Sequence, residues 1–71
     1  MDVDYVFLSK EICKRRMISC MSQKELANKS NLSYATIKCI EEGRREKVQR
    51  ATILKLARGL NCEVNELIGK K

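Results

Sequence analysis

The sequence predicts an all-α fold of five short helices, and three observations support this prediction. The 71-residue chain has no proline and only three glycines, so few residues in it interrupt helices. Its apolar residues recur three and four positions apart rather than alternating, which is the spacing of one helix face. Residues that start and stop helices separate these apolar stretches. A chain of this length forms one domain with a small core.

The first helix is predicted from about Ser9 to Ile18. Either Asp4 or Ser9 can cap its N-terminus, because both side chains can accept a hydrogen bond from a free backbone N–H. The residues before this helix are compatible with an extra helical turn, a short strand or an arm that packs on a partner. Residues 1–8 are therefore expected to be an N-terminal arm or an extension of helix 1.

Two further helices joined by a tight turn are predicted next. Ser22 and Glu25 form an S-x-x-E capping box at the start of the second helix. Asn31, in the turn, readily accepts the positive φ that a sharp corner between helices often needs. Ser33 caps the third helix and Gly43 ends it. The inward residues of these helices are Leu26, Ala27, Ile37 and Ile40.

The last two helices are predicted at about Arg50–Leu60 and Val64–Gly69. Asn61 suits a left-handed stop between them. Residues 9–69 are thus expected to form the folded domain, with residues 70–71 as a basic tail. The apolar residues predicted to face inward are Ile53, Leu56, Ala57, Leu60, Val64, Leu67 and Ile68.

Composition narrows the possible functions. The net charge of +6 and the pI near 9.4 fit nucleic acid or an anionic membrane surface as a partner. No apolar run approaches the roughly 20 residues of a membrane span, and the N-terminal stretch carries aspartates where a secretory signal has positive charge. We therefore expect a cytoplasmic protein without a membrane partner. Because the chain has no histidine, no clustered carboxylate pair and no glycine-rich phosphate loop, we do not expect an enzyme.

The four cysteines are spaced widely and irregularly. Zinc sites usually take their ligands from closely spaced pairs, so we expect no metal site. A disulfide framework needs an oxidising compartment, which nothing in the sequence indicates. We expect no cofactor and four reduced thiols that pack as small apolar side chains. These residues are Cys13, Cys20, Cys39 and Cys62.

The layout of nearly the whole chain after about Leu8 resembles the helix-turn-helix domain of the Cro and phage-repressor family, also called the xenobiotic-response-element family. The matching positions read SQxELA from Ser22, LSxxTIxxIExG from Leu32, LxLAxxL from Leu54 and VxEL from Val64. This resemblance implies a lambda-repressor-like DNA-binding domain in which helices 2 and 3 form the helix-turn-helix.

The resemblance also implies a transcription regulator that binds double-stranded operator DNA as a homodimer, with helix 3 as the recognition helix. Such a protein would be nucleoid-associated, and no small-molecule ligand is expected. The candidates for reading bases are Tyr34, Ala35, Lys38 and Cys39, of which Cys39 can instead face inward. The candidates for contacting the phosphate backbone are Gln23, Ser33, Thr36, Arg44, Arg45, Lys47 and Arg50.

In the family pattern, Arg16 and Glu41 form an inward ion pair between helices 1 and 3, which makes Arg16 structural. Glu42 fits the pattern worst, because a carboxylate beside DNA repels phosphate. Two segments are candidates for the dimer interface, the last helix with its tail and the apolar residues 3–8, and we favour the last helix.

Several functions remain open within and beyond this resemblance. The regulator could be a repressor, a Cro-like switch protein or the controller of a restriction–modification operon. The alternative from another class is a protein-interaction module, such as an antitoxin or anti-regulator that uses the same fold. Glu42 and the uncharged Ala35 favour that alternative, whereas the basic residues after the third helix favour DNA.

Overall fold

The computed structural model describes residues 3–44 and 48–69, and these ranges contain five helices and no strand. This arrangement confirms the predicted all-α fold. The helices are α1 (Tyr5–Ile18), α2 (Gln23–Ser30), α3 (Tyr34–Glu41), α4 (Arg50–Gly59) and α5 (Val64–Ile68).

The predicted caps of α2 and α3 are confirmed. Ser22 Oγ accepts a hydrogen bond from Glu25 N at 3.1 Å, and Glu25 Oε1 accepts one from Ser22 N at 3.3 Å. At the start of α3, Ser33 Oγ accepts from Thr36 N at 3.1 Å. Asn31 between the two helices has a φ of 55°. The left-handed residue turns the chain sharply, as its sequence position predicts.

Helix α1 begins at Tyr5, four residues before the predicted start at Ser9. Asp4 is the cap, because its Oδ1 accepts hydrogen bonds from two backbone N–H groups of the first turn at 3.1 Å each. Ser9 lies inside the helix and donates instead to the carbonyl oxygen of Ile40 at 2.6 Å. Of the three alternatives for the N-terminal segment, the structure contains the extra helical turn.

Every helix contributes to one core. A helix as short as α5 is not stable alone in water, so its burial against the other helices is what holds it in place. The largest fully buried side chains are Leu8, Ile12, Leu26, Ile37, Ile40, Ile53, Leu56 and Leu67.

Helices α2 and α4 pack closely where Ser30 faces Gly59. A Cβ added at Gly59 would overlap Ser30 Oγ and lie 3.2 Å from both Ser30 Cβ and Ser30 N. Ser30 is only 2% exposed, and its hydroxyl has no hydrogen-bond partner within the described part of the chain. Gly59 is therefore required by space rather than by its backbone conformation.

Besides Asn31, two further residues that are not glycine have a left-handed φ at the end of a helix. Asn61 has a φ of 55°, which confirms the predicted stop after α4. Cys20 has a φ of 57° and was not predicted. It ends α1 in the usual way, with its N–H donating to the Met17 carbonyl and the Met21 N–H donating to the Arg16 carbonyl, both at 3.0 Å.

All four cysteines are free thiols, and Cys20 is the exposed one. Burial raises the pKa of the Cys62 thiol above its ordinary value, so this group stays neutral and packs as an apolar side chain. Residues 3–44 and 48–69 contain no group of three or more cysteine or acidic side chains placed to hold a metal ion. None of the helices described is both long enough and apolar enough to cross a bilayer.

Candidate nucleic-acid interface

Arg16 on α1 and Glu41 at the end of α3 form a bidentate ion pair. Arg16 Nε lies 2.7 Å from Glu41 Oε2, and Arg16 Nη2 lies 3.0 Å from Glu41 Oε1. The two side chains are only 15% and 5% exposed. The hydrogen bonds that Arg16 donates to Glu41 raise the pKa of Arg16 above its ordinary value, so the guanidinium is always charged. The pair joins the two helices in the way that the family resemblance implies.

The same ion pair is tied to the start of α2. Arg16 Nη1 donates to the carbonyl oxygen of Met21 at 2.8 Å, and Gln23 Nε2 donates to Glu41 Oε1 at 3.3 Å. Ser9 holds the carbonyl one residue before Glu41. The C-terminal end of α3 is therefore fixed from both α1 and α2, and this bracing leaves the helix little freedom to tilt.

The outer face of α3 displays the residues expected to read bases. Tyr34 is 43% exposed, and Ala35 and Lys38 are also exposed. Cys39 is half-buried, so it lies at the margin of this face rather than on it. Ile37 and Ile40 anchor the opposite face in the core. The structure thus brings together three of the four predicted base-reading residues on one exposed surface.

Lys24 adds a positive charge to this surface that sequence reasoning missed. Its Nζ lies 5.8 Å from the centroid of the Tyr34 ring, within the range of a cation–π contact. Lys24 is exposed and directly follows Gln23 in the first turn of α2. The sequence did show a basic residue in the first turn of α2. Only the packing of α2 on α3 shows that this residue contacts Tyr34.

The start of α3 offers groups that can hold a phosphate. The first backbone N–H groups of a helix have no partner inside the helix, and the positive end of the helix dipole favours anions there. Ser33 and Thr36 place their hydroxyl oxygens 2.7 Å apart at this end. Gln23, half-buried, presents its amide to Glu41, which fits a bracing role for this side chain.

The predicted basic contacts after α3 are only partly described. Arg44 is exposed and lies 3.6 Å from Glu42. Arg50 is exposed in the first turn of α4. The expected contacts of Arg45 and Lys47 lie outside the described residues.

This arrangement is that of a helix-turn-helix DNA-binding domain. Helix α3, the second helix of the motif, is braced at its C-terminal end and displays polar and basic side chains at its exposed start. The chain belongs to the Cro/C1-type helix-turn-helix DNA-binding domain family, whose sequence pattern matches residues 10–70. The resemblance found in the sequence is thereby confirmed. The protein is a DNA-binding transcription regulator of this type.

Two solved structures are similar to most of this fold. The restriction–modification controller protein C.AhdI from Aeromonas hydrophila superposes with a TM-score of 0.83 and is 34% identical, over 90% of this chain and 96% of that one. A mutant of the restriction–modification controller protein C.Esp1396I has a TM-score of 0.78 and 30% identity, over 83% of this chain and 75% of that one. Comparison with curated proteins gives no match.

Proposed function

We propose that this protein regulates transcription as a homodimer that binds a specific operator, as a repressor or a Cro-like switch. The observation that carries the proposal is the construction of α3. Its C-terminal end is braced by Arg16 and Gln23 through Glu41, while Tyr34 and Lys38 stay exposed. A rigid helix with a free polar start fits the major groove. The similarity to two restriction–modification controller proteins supports the proposal that this protein is a transcription regulator.

The proposed base contacts follow from side-chain chemistry. Lys38 can donate to guanine O6 and N7, and the methyl group of Ala35 can pack on the methyl group of thymine. Tyr34 can reach a base edge or a phosphate, with Lys24 beside its ring adding positive charge. Cys39 is the weakest candidate because it is half-buried.

The proposed phosphate contacts surround this helix. Backbone N–H groups at the start of α3 can bind one phosphate, and arginine side chains on the following segment can bind others. These contacts hold the domain in register on the duplex without reading its sequence. The residues proposed for this role are Gln23, Ser33, Thr36, Arg44, Arg45, Lys47 and Arg50.

Dimerisation is proposed because one short helix end makes too few base contacts for specific binding, and related dimers place two such helices about one DNA turn apart. The end of α5 lies close to Phe7 of the N-terminal segment. A Cβ added at Gly69, after α5, would lie 3.2 Å from the ring of Phe7 on α1. We therefore propose that the dimer interface includes this joint surface of Phe7 and the end of α5.

A lysine at Phe7 tests this interface. We expect Phe7→Lys to shift the protein from dimer to monomer in sedimentation equilibrium, because an interface core tolerates a charge poorly. Met17→Lys is the matched control, since it also replaces an exposed apolar residue of α1 but lies near the other end of the helix. A Phe7→Lys protein that remains dimeric, with its helical circular dichroism intact, would exclude this surface.

The DNA-binding proposal is tested by selecting duplexes from a random pool and measuring binding of variants to them. Lys38→Ala is expected to change the preferred base at one position of each half-site and to weaken binding there by about 1–3 kcal/mol. Arg44→Ala is expected to weaken binding to all duplexes alike and to reduce the salt dependence, because it removes a phosphate contact.

Lys55→Ala serves as the control for net charge, because it removes one exposed positive charge on α4, outside the proposed interface. If neither Lys38→Ala nor Arg44→Ala affects binding to any selected duplex, the DNA proposal fails. The remaining explanation would then be a protein-interaction module with the same fold.

A further inference from the structure

Glu42 and Arg44 form an ion pair directly after the recognition helix. Arg44 Nε lies 3.6 Å from Glu42 Oε1, and the two side chains are 68% and 38% exposed. Glu42 is the C-cap residue of α3. Gly43, between the two residues, has a φ of 72°. Apart from Gly43 and its two chain neighbours, no atom of the described residues lies within 4 Å of the position where a Cβ would lie. This left-handed residue ends α3, with the Arg44 N–H donating to the Cys39 carbonyl at 3.0 Å, and the side chains on either side of it lie within ion-pair distance.

The pair lies at the end of the exposed stripe of α3. Tyr34, Lys38 and Glu42 follow one another at a spacing of four residues, so they share one side of the helix. Glu42 lies about 6 Å beyond Lys38 along the helix axis. On this stripe it is the acidic residue, and DNA carries one negative charge for about every 1.7 Å of its axis. The carboxylate therefore opposes the contacts proposed for its neighbours.

We propose that Glu42 is a positioning residue that limits DNA affinity through Arg44. The proposal rests on the DNA-binding function proposed above and deepens it. In the free protein, Glu42 holds the Arg44 guanidinium in an ion pair. A phosphate must break this pair to bind Arg44, so the arginine exchanges one anionic partner for another and the net gain is small.

This restraint acts on binding to DNA of any sequence, because phosphate contacts carry no sequence information. A regulator competes with a very large excess of non-specific sites for its operator. Because Glu42 competes with phosphate for Arg44, the phosphate contacts contribute less to the binding free energy. The base contacts of Tyr34, Ala35 and Lys38 then contribute a larger share of it. Glu42 is the residue that fits the family pattern worst, and limiting the contact of Arg44 with phosphate would explain its presence.

A double-mutant cycle tests the proposal. Binding of wild type, Glu42→Gln, Arg44→Ala and the double variant is measured by fluorescence anisotropy, on a selected duplex and on its scrambled form, at several salt concentrations. Glu42→Gln is expected to tighten binding to both duplexes by about twofold to fivefold per protomer. It is also expected to steepen the slope of log K against log salt by at most about 0.9 per protomer, the value for one complete phosphate contact, because Arg44 then binds phosphate without competition from Glu42.

The decisive quantity is the effect of Arg44→Ala in the two backgrounds. We expect Arg44→Ala to weaken binding about twofold to fivefold more when residue 42 is glutamine than when it is glutamate. Glu63→Gln is the matched control, since it makes the same change of charge at the start of α5. It is expected to leave the effect of Arg44→Ala unchanged.

Two results would overturn the proposal. If Arg44→Ala has the same effect in both backgrounds, Glu42 does not act through Arg44. If Glu42→Gln instead weakens binding only to the selected duplex, Glu42 is a base contact. Because the cycle is also measured on the scrambled duplex, equal affinity of the wild type for both duplexes would contradict the proposed sequence specificity while the Glu42–Arg44 coupling is still measured.

Discussion

Arg16→Ala is expected to lower the free energy of unfolding by about 3–5 kcal/mol, because it leaves a buried carboxylate without its ionic partner. The Glu41 side chain is 5% exposed, and among the contacts of the described residues it would keep only the hydrogen bond from Gln23 at 3.3 Å. The Met21 carbonyl would also lose the donor that now lies 2.8 Å away. Small domains are stable by only about 5–15 kcal/mol, so this single change removes a large part of the total.

Thermal and urea unfolding followed by circular dichroism measure this loss. At about 4–8 °C per kcal/mol for a domain of this size, the thermal unfolding midpoint of Arg16→Ala should fall by more than about 10 °C. Arg44→Ala is the matched control, because it removes an arginine from an ion pair that is exposed. Its effect should stay within about 1 kcal/mol. An Arg16→Ala protein that melts at the wild-type temperature would contradict the structural role of the pair.

A second variant separates the ion pair from simple loss of packing. Replacing both partners by apolar residues, Arg16→Met with Glu41→Leu, removes the two charges together. Such replacements are often neutral or stabilising, whereas breaking a buried pair on one side is strongly destabilising. The double variant should therefore be more stable than Arg16→Ala. If it is equally unstable, the arginine acts mainly through its contact with Met21.

Gly59→Ala is expected to lower the free energy of unfolding by about 1–3 kcal/mol through overpacking. Alanine is the better helix former by about 1 kcal/mol, so propensity alone predicts the opposite sign. The added Cβ would overlap Ser30 Oγ and approach Ser30 Cβ and N to 3.2 Å. Helices α2 and α4 must therefore separate, and urea unfolding measures the consequence directly.

Ser30→Ala provides the test of mechanism. By itself it should be close to neutral, because the buried hydroxyl has no hydrogen-bond partner in the described residues. Combined with Gly59→Ala, it should recover part of the lost stability, since the worst overlap is removed while the two 3.2 Å approaches remain. Gly43→Ala is the control, because its cost arises from a φ of 72° in open space. Ser30→Ala should not rescue it.

The sequence alone predicted most helix boundaries, because the groups that end a helix are close in the chain. The capping box of Ser22 and Glu25 spans four residues, and Asn31 and Asn61 act through their own backbone angles. Such local hydrogen bonds and torsions need no knowledge of the rest of the fold. The start of α1 was left open because Asp4 and Ser9 are both competent caps in isolation.

The candidate site could be predicted in part. The exposed positions Tyr34, Ala35 and Lys38 follow from the helix period once Ile37 and Ile40 are placed inside. The Arg16–Glu41 pair, by contrast, came from the family pattern and not from spacing, because its partners are 25 residues apart. Lys24 was missed because its contact with Tyr34 depends on how α2 packs on α3.

The sequence by itself determined the number and order of the helices, the ends of most of them and the inward faces of α2 to α5. Only the tertiary structure decided that Ser9 bonds to the Ile40 carbonyl rather than capping α1, that Gly59 is needed to accommodate Ser30, and that Glu42 meets Arg44. Helix periodicity and capping act over a few residues, so they can be predicted from residues that are close in the sequence. Space between helices and pairing across a turn depend on distances in three dimensions, which exist only after the helices have packed.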